Sequence, residues 1–68
     1  MIILNLIDSY GDKLNFYLNK NDTFITEEVD NGKKKSKIYL NDNIFHVQET
    51  TEEIDKMIKD QILIKNKF

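Results

Sequence analysis

The chain has 68 residues, ten of them lysine and none arginine, alanine, cysteine, proline or tryptophan, and its formal net charge is −2. That length allows one small domain, and a core below about 70 residues supplies only about 3 to 5 kcal/mol unless a disulfide, a metal or self-association adds to it. Without cysteine, and with His46 as the one histidine, disulfides are excluded, no metal is implied, and a homo-oligomer is the expected remedy.

In chain order, Met1 to Asp8 reads as a first strand, and Asp8-Ser9-Tyr10-Gly11-Asp12 supplies the residue types of a tight turn. From Lys13 to Asn19 the pattern alternates, with Leu14, Phe16 and Leu18 on the face that seeks the core. Asn19 to Asp22 is a second turn cluster, and Thr23 to Val29 is a short third strand rich in β-branched residues. Asp30-Asn31-Gly32 then predicts a turn, which the run Lys33-Lys34-Lys35-Ser36 lengthens. Lys37 to Leu40 and Ile44 to Glu49 flank Asn41-Asp42-Asn43 as the last hairpin.

Thr50-Thr51-Glu52-Glu53 is a capping box, so a helix is expected from about Thr51 to about Ile62, with Ile54, Met57, Ile58 and Ile62 on one stripe. The predicted fold is therefore α+β, a single domain over residues 1–68 in which an antiparallel sheet of four or five strands precedes one helix packed on one face. Leu14, Phe16, Phe45, Val47, Ile54 and Ile58 are expected in its core.

The strand Phe45-His46-Val47-Gln48-Glu49, its threonine cap and Glu52-Glu53-Ile54 resemble the corresponding part of the FlbD-type small proteins and of similar short proteins of phages and their hosts. The apolar Met1-Ile2 start, the Gly11 turn, Leu18-Asn19 and Ile25 to Glu28 extend the likeness over most of the chain. The resemblance implies the fold just described and, for the flagellar members, a role in motility through protein contacts.

Chemistry is sparse. Gly11 and Gly32 sit in turns and form no phosphate loop, and no residue pattern gives His46 a nucleophile to activate. Glu27 and Glu28 point to opposite strand faces and make no carboxylate pair. No enzyme activity, metal or cofactor is expected. The missing arginine fork and the acidic balance disfavour nucleic acid as a partner. No apolar run nears the roughly 20 residues that span a bilayer, and the start lacks a basic leader, so a cytoplasmic protein is expected.

What the sequence leaves for function is binding. His46 falls on the strand face opposite Phe45 and Val47, and Tyr39 on the analogous outer face of its own strand. With Lys35 and Lys37 supplying charge, these four are the candidate contacts for a phosphorylated ligand, although solvated lysines that guard a sheet edge are the plainer reading of the run. Ile62, Leu63, Ile64 and Phe68 carry more apolar surface than one helix stripe buries and are the expected oligomer interface. The function expected is that of a small phage-type protein sequestering a host factor or a nucleotide-like signalling molecule between subunits. The alternative is a flagellar structural or regulatory protein.

Overall fold

The computed structural model describes residues 1–19 and 21–66, the last six as backbone only. The elements are β1 (Ile2–Ile7), β2 (Lys13–Leu18), β3 (Phe24–Asn31), β4 (Lys34–Leu40), β5 (Asn43–Val47) and α1 (Thr51–Asn66). The strands form one antiparallel sheet in the order β2-β1-β5-β4-β3, and the helix follows it, giving the expected α+β architecture.

Turn chemistry explains the hairpins. In the first, the Asp8 side chain accepts hydrogen bonds from the Tyr10 and Asp12 amides at 2.9 Å each, and Gly11 takes a φ of 83°. In the last, Asn41 and Asp42 both adopt positive φ, 50° and 65°, as a two-residue hairpin matching the strand twist requires. The β3–β4 turn is shorter than expected. Only Gly32 and Lys33 lie outside the strands, and β4 begins at Lys34 rather than Lys37, because a register shift between Glu28 and Asn31 carries β3 further, pairs Asn31 with Lys34 and brings Lys35 into the strand.

Alternation decides what meets the helix. Ile2, Leu4, Leu18, Ile38, Val47 and Ile54 form the buried cluster, with Leu6, Phe16, Phe24, Leu40, Phe45, Met57 and Ile58 packed around it. The rings of Phe16 and Phe45 sit 4.8 Å apart. Leu14 departs from expectation: it is 51% exposed, since it lies near the turn end of an edge strand with a neighbour on one side only. The helix continues past Ile62 to Asn66.

Between β1 and β5 the ladder registers a single residue pair, Leu6 with Val47. Beyond it the Gln48 amide donates to the Asn5 carbonyl at 2.9 Å, and then the chain leaves the sheet. The Glu49 carboxylate takes over, accepting from the Asn5 amide at 2.9 Å and from Asn5 Nδ2 at 2.7 Å. Ser36, buried between lysines, donates its hydroxyl to the Glu49 carbonyl at 2.7 Å. One residue later the capping box forms: the Glu53 amide donates to Thr50 Oγ1 and the Thr50 amide donates to Glu53 Oε1, both at 3.2 Å.

Candidate functional site

The helix covers one side of the sheet, and three of the four candidate ligand contacts fall on the other. In β4, Ser36, Ile38 and Leu40 turn toward the helix, so Lys37 and Tyr39 turn away from it. In β5, Phe45 and Val47 face the core, which leaves Ile44 and His46 outward. In β3 the outward pair is Ile25 and Glu27.

The register assembles these into two cross-strand rows. Ile25, Tyr39 and Ile44 are successive partners across β3, β4 and β5, and beside them run Glu27, Lys37 and His46. The first row is apolar and open, with Ile25 68% and Ile44 54% exposed. Its tyrosine hydroxyl donates to Glu27 Oε2 at 3.4 Å, linking the rows. His46 has its pKa lowered below the ordinary 6.5, first by burial and then by the charges of Lys34 and Lys37, which favours the neutral ring.

Three of the four predicted ligand contacts, Lys37, Tyr39 and His46, are thus brought together. Lys35 stands apart, paired with Asp30 at 3.2 Å near the β3 register shift. It lines a cleft of about 570 Å³ whose other walls include Asn5, Lys33, Gln48, Glu49 and Glu53. Lys33 Nζ also donates to the Gly11 carbonyl at 3.4 Å, bringing the β3–β4 turn toward the β1–β2 turn. The two lysines of the cleft are balanced by two glutamates, and both glutamates already hold backbone amides. The predicted interface residues Ile62, Leu63, Ile64 and Phe68 lie outside the described side chains.

Sequence reasoning put Ile44 on the outward face with His46 but did not join it to Tyr39, and it missed Ile25 and Glu27 as members of the surface and the Ser36–Glu49–Asn5 junction. A signal for Ser36 was present: counting back by twos from Leu40 and Ile38 reaches it, a small residue on the apolar face amid lysines. Among the described residues no group of three or more His, Cys, Asp or Glu is placed to hold a metal ion. No helix among them is long and apolar enough to cross a membrane. Compared with known proteins, the chain matches no family model, and neither a curated protein nor a solved structure is significantly similar to it.

Proposed function

We propose that the protein is a non-catalytic binding protein that captures a protein partner on the sheet face its helix leaves uncovered. The observation that carries this reading is the exposed row Ile25–Tyr39–Ile44, set directly beside Lys37 and His46. An apolar stripe bordered by groups that donate and accept hydrogen bonds is the make-up of a recognition surface: the stripe supplies burial and the border fixes orientation. The complementary partner surface carries an apolar patch with a carboxylate to meet Lys37. Such a face suits sequestration of a host protein by a small phage-type protein, and it equally suits a flagellar regulator acting by contact alone. Neighbouring genes separate those two settings.

A second reading, a small phosphorylated or nucleotide-like ligand, draws support from Lys33 and Lys35 lining the same cleft. The flanking Glu49 and Glu53 weaken it, because they offset the charge that would attract a phosphate.

The test is retention from host extract by the immobilised full chain, followed by native mass spectrometry of what is retained. A protein lost with Ile44→Asp or Tyr39→Ala, yet kept with the Lys33→Ala/Lys35→Ala double variant, supports the leading reading. A small molecule kept with the first two variants and lost with the double variant replaces it with the second.

A further inference from the structure

We propose that two copies of the chain join edge to edge through β2, antiparallel, so that their sheets continue as one. The sheet has two outer strands, β2 and β3, and they differ in how they are protected. β3 carries Glu27, Glu28 and Asp30 and is interrupted by a register shift, devices that keep an edge from pairing. β2 has none of them. It runs in unbroken register with β1 from Lys13 to Leu18, has no acidic residue or proline, and bears one charge, at its first position.

Exposed apolar side chains gather around that same edge. Leu14 is 51% and Tyr17 58% exposed, and Ile3, the Cα partner of Tyr17 in β1, is exposed as well. These groups flank a row of backbone donors and acceptors that no strand satisfies among the described residues.

The occupant that fits is a second copy. With the two strands centred on Phe16, Leu14 lies opposite the partner's Leu18 and Phe16 opposite the partner's Phe16, all on the helix-covered face. On the other face Asn15 meets the partner's Tyr17, and Lys13 meets the partner's Asn19. No like charges are opposed. Pairing β3 with itself would set carboxylates against carboxylates, and pairing β2 with β3 would leave free edges at both ends and grow without closing. The two-fold axis stands normal to the sheet, so both helices share one side and both uncovered faces share the other. Two copies also answer the small core of an 8.1 kDa chain that has no cysteine.

Sedimentation equilibrium of the full chain from micromolar to millimolar concentration is expected to show twice the chain mass. The double variant Asn15→Lys/Tyr17→Lys, which sets two symmetric like-charge pairs across the junction, is expected to associate at least about tenfold more weakly with an unchanged circular dichroism spectrum. If that variant fails to fold, isotope-filtered nuclear Overhauser contacts in a mixed labelled and unlabelled wild-type sample decide, with intermolecular contacts expected between β2 backbones. A wild-type monomer throughout the range overturns the proposal, as does a folded double variant that dimerises as tightly, or intermolecular contacts that map away from β2. Ile44→Asp, on the uncovered face, is expected to stay dimeric, which keeps this result separate from the partner-binding reading.

Discussion

His46 sits across from Lys37 in the ladder, half-buried, and its pKa is lowered by burial and then by Lys34 and Lys37. Because the folded-state value lies below the unfolded 6.5, the unfolded chain binds more protons as pH falls through 6.5. Stability from this residue is therefore complete above that pH and declines toward the folded-state value. An imidazole titration followed by nuclear magnetic resonance is expected to give a midpoint below 6.5, rising when Lys34 or Lys37 is replaced by methionine. A second residue-scale expectation concerns Asp42, held at a φ of 65°. Left-handed backbone costs a residue with a Cβ about 1 kcal/mol, so Asp42→Gly is expected to raise the urea unfolding midpoint by up to about 1 kcal/mol of stability. A lowered midpoint would show that the side chain contributes more than the backbone loses.

At the scale of elements, the junction from β5 to α1 rests on two short networks. Hydrogen bonds to a charged group are worth about 1.5 to 3 kcal/mol, so Glu49→Ala is expected to destabilise by about that amount, by leaving the Asn5 amide without its acceptor. Glu49→Gln is expected to cost less, because its one carbonyl oxygen still reaches the amide. Thr50→Ala removes the acceptor for the Glu53 amide and is expected to cost about 1 kcal/mol in chemical denaturation. The cap was legible in the sequence because its four residues are contiguous. The Glu49–Asn5 pair was not, since its partners are 44 positions apart and nothing local marks them. The β4 start was missed for a related reason: a lysine run after Asn-Gly has the composition of a loop, and only pairing with the extended β3 makes it a strand.

For the whole molecule, alternation and one helical stripe were enough to predict an antiparallel sheet of four or five strands, of which the structure has five, with a helix packed on one face. They did not fix the strand order, which places β1 beside β5 and makes β2 an edge, and so Leu14 reads as core although it is not. The same gap hid the outward row, because Ile25 and Ile44 become neighbours of Tyr39 only through register. The core is small enough that one fully buried side chain decides its fate. Ile54→Ala, at the contact of helix and sheet, is expected to cost about 2 to 5 kcal/mol, comparable with the whole stability of a core this size. Far-ultraviolet circular dichroism in dilute solution is expected to show a largely unfolded chain. A cooperative melt close to that of the wild type would mean that the helix is held by other contacts.

The Glu49 carboxylate has a wider consequence for how this chain turns a corner. Neither glycine lies where the sheet gives way to the helix, and the chain has no proline, so the change of direction uses no special backbone torsion. An acid side chain stands in for the peptide group that the departing strand no longer offers. The bend is thus written in removable chemistry rather than in conformation: shortening that acid by one methylene, as in Glu49→Asp, would draw the hinge tight or let it go while the dihedral preferences at every other position stayed as they were.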